Sequence, residues 1–149
     1  MPIKGFAFRE RVPSTAVYLP LSTFKKENAM AFAFEKLNVY QKAIDFADRI
    51  CGITSDFPKS FYFLRDQLNR ASLSISANIA EGNGRFTKND RKHFFVIARG
   101  SVQECVPLLE LAYRRGFLNQ EVHETLKNDL EEISKMISGL VKGIDNRTK

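Results

Sequence analysis

The sequence predicts an all-α protein: an antiparallel up-and-down four-helix bundle preceded by an irregular N-terminal leader. Three observations carry that expectation. Four stretches repeat apolar residues every three or four positions, each is bounded by residues that start or stop helices, and no run alternates apolar and polar residues as a half-buried strand would. With 149 residues, 44% of them hydrophobic and 27% charged, the chain has the length and balance of one globular domain with its own core.

Residues 1–33 are assigned to the leader and 34–149 to the bundle. Residues 1–30 hold three of the five prolines and no sustained period, and Met30, directly before "AFAFEKLNVYQKA", could be the true start. The first helix is expected over 38–53, with Val39, Ala43, Phe46, Ala47 and Ile50 on one face and Gly52 near its end. "TSDFPKS" follows, with Pro58 suited to a first helical position. The second helix spans 59–81 and is closed by Gly82 and Gly84, the residue type that tolerates a left-handed cap. Thr87 with Asp90 opens the third helix, 88–115, whose inward stripe is read as Phe94, Ala98, Ser101, Cys105, Leu108 and Ala112, and Gly116 ends it. Asn119 with Glu121 opens the fourth, where Val122, Leu126, Leu130, Ile133, Ile137, Leu140 and Val141 keep the period to about residue 144. Comparable helix lengths and short connections imply antiparallel neighbours.

The chain has no run of about 18 apolar residues and no secretory signal at its N-terminus, so the expected location is the cytoplasm. Cys51 and Cys105 are far apart among apolar residues, which favours two buried free thiols over a disulfide or a metal site. The net charge of +6 is uneven: residues 1–30 hold five basic against two acidic residues, and Arg85, Lys88, Arg91 and Lys92 form the densest basic cluster of the rest. Such polarity favours an anionic partner, although modest net charge also serves solubility.

The second helix carries an ordered polar stripe. Gln67, Arg70, Ser74, Asn78 and Glu81 step by three or four and fall within an arc of roughly 80°. Leu64, Leu68, Ala71, Ile75 and Ile79 occupy the core arc beside it, Leu73, Ala77 and Ala80 lie on its other flank, and Arg65, Asn69, Ser72 and Ser76 take the remaining, solvated side. Apolar residues on both flanks suggest a partly buried hydrogen-bonded seam, with Ser101 and Glu104 on the third helix as partners; a plain boundary face meeting water is the alternative. Gly100 in mid-helix costs on the order of 1 kcal/mol relative to alanine, which a close helix crossing or a neighbouring subunit would offset.

"LNVYQKA" at 37–43, "FP" at 57–58, "QLNRASLSISANIAEGNGR" at 67–85 and "ARGSVQE" at 98–104 resemble the four-helix-bundle proteins of the 23S rRNA intervening-sequence family, in matching order from about Phe34 to Ile144. The leader departs from the pattern. The resemblance implies a bacterial up-and-down bundle that assembles into a ring-like homopentamer. It also implies association with RNA, since a similar fold serves as the accessory protein of diversity-generating retroelements, which binds nucleic acid and a reverse transcriptase. Gln67, Arg70, Ser74, Asn78, Glu81, Gly82, Arg85, Gly100, Ser101 and Glu104 fall on the family's motif positions.

Three classes of function follow. In the first, Arg85, Lys88, Arg91 and Lys92 meet phosphates along a basic rim, repeated by symmetry, and Phe86 either stacks on an unpaired base or packs beneath the loop. Lys88 and Arg91 at a helix N-terminus oppose its dipole, which favours a functional reason for them. In the second, the ring is a scaffold for a protein such as a polymerase, with no direct nucleic-acid role. The third, an enzyme, lacks a site. His93 and Cys105 lie about 18 Å apart along one helix. His123 has no second ligand at metal spacing and reads as a surface residue, and "EGNGR" is not a phosphate loop. The expectation is therefore a non-enzymatic protein with no cofactor or metal, its partners being further copies of itself, RNA, or a protein.

Overall fold

The computed structural model describes residues 32–147. The expectations for the leader and for Met30 thus fall outside the described residues, except at Phe32 and Ala33. Four long helices account for most of the unit Phe32–Lys149: α1 (Asn38–Thr54), α2 (Tyr62–Asn83), α3 (Lys88–Arg114) and α4 (Gln120–Asn146). Short 3-10 turns at Ala33–Lys36 and Lys59–Phe61 lead into α1 and α2, and no strand occurs among the described residues. Each helix packs on its sequence neighbour, α2 against α3 most extensively, and α1 closes on α4 through the smallest of the four interfaces. This is the up-and-down bundle the periodicity predicts.

Local chemistry sets the boundaries. Thr87 Oγ1 accepts from the Asp90 amide at 3.1 Å and Asn119 Oδ1 from the Val122 amide at 2.8 Å, so both predicted caps satisfy a donor the helix would leave orphaned. Gly116 adopts φ +77°, and the amides of Gly116 and Phe117 return to the carbonyls of Tyr113 and Ala112, closing α3 in the left-handed conformation that suits glycine. The end of α2 differs from expectation. Gly84 has φ −81° and remains right-handed, so no left-handed cap forms there.

The core runs the length of the bundle, from Phe57 and Leu118 at the end holding the α1–α2 and α3–α4 turns, through Phe46, Leu68, Leu109 and Leu130, to Ile79, Phe95 and Ile144. At the first end Phe117 lies 5.2 Å from Phe57 and 4.8 Å from Phe61, and the Arg115 guanidinium covers the Phe61 ring, so an aromatic cluster clasps the two turns together.

Three readings of inward faces need correction. On α2, Ser72 and Ser76 are buried rather than solvated. Their hydroxyls donate at 3.0 Å to the carbonyls of Asn69 and Leu73 within their own helix, which removes the cost of burial and leaves two small side chains. Asn69 Oδ1 accepts from Thr54 of α1 at 2.9 Å, which places this serine side toward α1. On α3 the buried heptad is Phe95, Val102 and Leu109, whereas Phe94 and Leu108 are half-buried, because the helix wedges between two neighbours and buries a broader arc than a narrow seam. Gly100 meets no heavy atom within 4 Å of a β-carbon position, so no intrachain crossing uses it. The close approach belongs to Gly82, where a β-carbon would stand 2.7 Å from the Phe95 ring.

Candidate nucleic-acid interface

The candidate interface forms at the opposite end from the aromatic clasp, where α2 turns into α3 and the last turn of α4 arrives beside them. Gly82, without a side chain, lets the end of α2 settle onto Phe95. The Gly84 amide bonds to the carbonyls of Ala80 and Glu81 and the Arg85 amide to that of Gly82, so the turn is held by its own backbone before Thr87 starts α3.

The structure gathers Arg85, Lys88, Arg91 and Lys92 at this end and gives three of them partners. Arg85 forms an ion pair with Glu81 one turn earlier, and its guanidinium lies 4.6 Å from the centre of the Phe94 ring. Lys92 is paired with Asp145 of α4, and Lys88 Nζ donates to the Arg147 carbonyl at 3.5 Å. Arg91 is half-buried, with its Nε enclosed and lacking a hydrogen-bond partner. The cations therefore stitch α2, α3 and α4 together as well as facing outward. Nothing local in the sequence links Asp145 to Lys92, and the apolar spacing that puts Phe94 on the inward stripe hides its place beneath Arg85.

Phe86 does not pack beneath the turn. It is fully exposed, at 103% of its reference area. Beside it a shallow groove of about 330 Å³ is lined by Phe34, Ala77, Ala80, Glu81, Gly84 and Arg85 as well as Phe86.

The polar stripe divides in two. Its inner members form a relay across α2 and α3: Asn78 Nδ2 donates to Ser74 Oγ at 3.0 Å, Ser74 and Ser101 hydroxyls meet at 2.9 Å, and Ser101 Oγ donates to the Ile97 carbonyl at 3.2 Å. Either hydroxyl can donate to the other, Ser74 Oγ accepting from Asn78 in both arrangements. The outer members reach solvent. Gln67, Arg70 and Glu104 line a polar groove of about 370 Å³ together with Asp66, Ala71 and Ser74. Arg70, with its side chain 80% exposed, lies 3.8 Å from Asp66 rather than against Glu104 or Ser101, and Glu81 turns to Arg85. Long charged side chains at the edge of a helix face extend to water more readily than they bury.

The histidine and cysteine readings also shift. His123 is buried at 6% exposure, stacked flat on Tyr113 at 4.5 Å, with Nε2 3.4 Å from a Glu110 oxygen. The hydrogen bond from Arg114 Nε, followed by the nearby charges of Arg114, His123 and Lys127, holds the Glu110 carboxyl below its ordinary value. Cys105 is buried as expected, and that burial, aided by Glu104, pushes its thiol up to about 12, whereas Cys51 is exposed. No cluster of three His, Cys, Asp or Glu residues able to hold a metal occurs among the described residues, and no described helix is long and apolar enough to cross a membrane.

The profile of 23S rRNA-intervening sequence proteins matches residues 35–139, from the turn before α1 to within the last two turns of α4. The chain belongs to that family. A crystal structure of a protein of unknown function from the S23 ribosomal protein family of Bacteroides thetaiotaomicron is similar, with 28% identity and a TM-score of 0.65. The likeness covers 70% of this chain and 95% of that one. No curated protein matches the sequence. The matched span contains the basic turn, the serine relay and the polar groove.

Proposed function

We propose that this bundle is a non-enzymatic, cyclic homo-oligomeric protein that associates with structured RNA through the basic end at the α2–α3 turn. The observation that carries the reading is the convergence of Arg85, Lys88, Arg91 and Lys92 on one end of the molecule. Cations on a fixed scaffold neutralise phosphates, and a ring repeats the patch so that weak sites act together. Membership of a family described by its 23S rRNA intervening sequences supports RNA as the anion. Arg85 and Lys92 are already balanced by Glu81 and Asp145, so a single subunit binds weakly and the ring supplies the avidity.

Assembly is supported by the outer faces of α2 and α3, where Leu73, Val96 and Ile97 are exposed and Gly100 leaves open space. Arg70, Gln67 and Glu104, exposed beside this apolar face, would be covered by a neighbouring subunit, and polar groups buried in that way fix how subunits meet. A homopentamer is the proposed number, in keeping with the resemblance. The same face favours a second reading, a scaffold that docks a protein such as a polymerase without touching nucleic acid.

The deciding experiment is equilibrium binding to structured RNA and duplex DNA over a salt series, with the oligomeric mass measured in the same buffer. Log affinity falling linearly with log salt, and loss of binding on replacing Arg85, Lys88, Arg91 and Lys92 together by alanine, is the expected result. An assembled ring without affinity for either nucleic acid would leave the scaffold reading.

A further inference from the structure

We infer that the α2–α3 turn is a stacking site for an unpaired RNA base, with the Phe86 ring as the platform and Arg85 and Lys88 as the flanking phosphate contacts. The inference rests on the nucleic-acid reading above and specifies which form of RNA the rim accepts.

Phe86 stands fully exposed although an apolar floor lies beside it: Phe34, Ala77 and Ala80 line the adjoining groove, and the ring forms one of its walls instead of filling it. Burying such a side chain is ordinarily favourable, so an exposed ring at the edge of an apolar groove marks a surface for a partner. The backbone on both sides of it is fixed. The amides of Gly84 and Arg85 are bonded to the end of α2, Thr87 caps α3, and Arg85 lies between Glu81 and the Phe94 ring. A ligand that stacks on the ring therefore has only the side chain to order, not the turn.

The surroundings select the occupant. At about 330 Å³ the groove sits at the low end of small-ligand sites, about 300–1,000 Å³, with room for a single nucleotide. Exposed aromatic faces combined with cations that follow a backbone are the recurrent means of holding single strands, because every base has a stackable face. A duplex keeps its base faces stacked on one another and cannot offer one to Phe86. Glu81 favours a base over an acidic peptide: paired with Arg85, its carboxylate still accepts from the exocyclic amines that bases carry and acidic side chains lack.

The chain contains no tryptophan, so Phe86→Trp places a sole indole reporter at the site. The variant is titrated with a single-stranded RNA oligomer and with a blunt-ended RNA duplex of equal charge, alongside binding measurements on the unaltered protein and on Phe86→Ala, whose fold is checked by circular dichroism. Saturable quenching by the single strand but not by the duplex is expected. Phe86→Ala is expected to weaken single-strand binding by roughly 5- to 150-fold, the range for one stacked base, while leaving duplex binding unchanged. An unchanged single-strand affinity in Phe86→Ala, or no quenching where the unaltered protein binds the strand, overturns the stacking site and leaves the rim intact. Absence of any RNA binding by the unaltered protein overturns both, and quenching by an acidic peptide in place of RNA reassigns the groove to a protein partner.

Discussion

Gly82 lies with its Cα against the ring of Phe95, so closely that a β-carbon would come within 2.7 Å of the ring edge and 3.1 Å of the Phe94 β-carbon. Phe95 is itself buried and cannot yield. Gly82→Ala is therefore expected to destabilise the bundle by about 1–3 kcal/mol through overpacking, despite alanine's better helix propensity. Gly139→Ala, with nothing within 4 Å, is expected to stabilise by about 0.5–1 kcal/mol. Urea midpoints of the two variants should move in opposite directions; equal shifts would refute the close contact.

The serine relay predicts coupling across α2 and α3. Ser101→Ala removes the hydrogen-bond partner of the Ser74 hydroxyl and should cost about 1 kcal/mol. Ser74→Ala and the double variant complete a cycle whose interaction energy is expected near 0.5–1.5 kcal/mol, whereas strict additivity would mean the two hydroxyls do not bond in solution.

Acid sensitivity should trace in part to Glu110. Its carboxyl is held below the ordinary 4.5 in the folded chain, first by the hydrogen bond from Arg114. A depressed native value contributes stability that is complete above the unfolded value and disappears as pH falls through the native one. Denaturation midpoints measured on either side of pH 4.5 should fall less steeply on acidification for Glu110→Gln than for the unaltered chain. Parallel curves would assign the acid sensitivity to other carboxylates.

The two thiols should separate cleanly. Cys51 is exposed, while burial raises Cys105 to about 12 and shields it from reagents. A thiol-specific reagent is expected to modify one cysteine in the native protein and both in denaturant, with Cys51→Ser abolishing the native reaction. Modification of both at one native rate would contradict the burial of Cys105.

The elements legible in the sequence are those with local causes. Thr87 and Asn119 satisfy donors three residues on, Gly116 supplies a left-handed cap, and the three-to-four periodicity places Ile75, Cys105 and Ile137 inside. What eluded sequence reasoning depends on the other helices. Ser72 and Ser76 look polar until their hydroxyls turn back to their own carbonyls, His123 looks exposed until α3 brings Tyr113 flat against it, and Lys92 looks uncommitted until α4 delivers Asp145. In the candidate site the cations were readable as a cluster, but their partners and the outward ring of Phe86 came only from the fold.

The small α1–α4 interface has a consequence for how the molecule breathes. These helices are far apart in sequence, and exposed ion pairs of Lys42 with Glu132 and Arg49 with Asp129 span them, whereas the consecutive pairs α1–α2, α2–α3 and α3–α4 each share a larger surface. Exposed pairs add little holding strength. The bundle thus has a spine along α2 and α3 and a loosely latched edge where α1 meets α4. Sub-global opening is expected to start at that edge, with amide hydrogens of α1 exchanging through it before those at the centre of α2 are released.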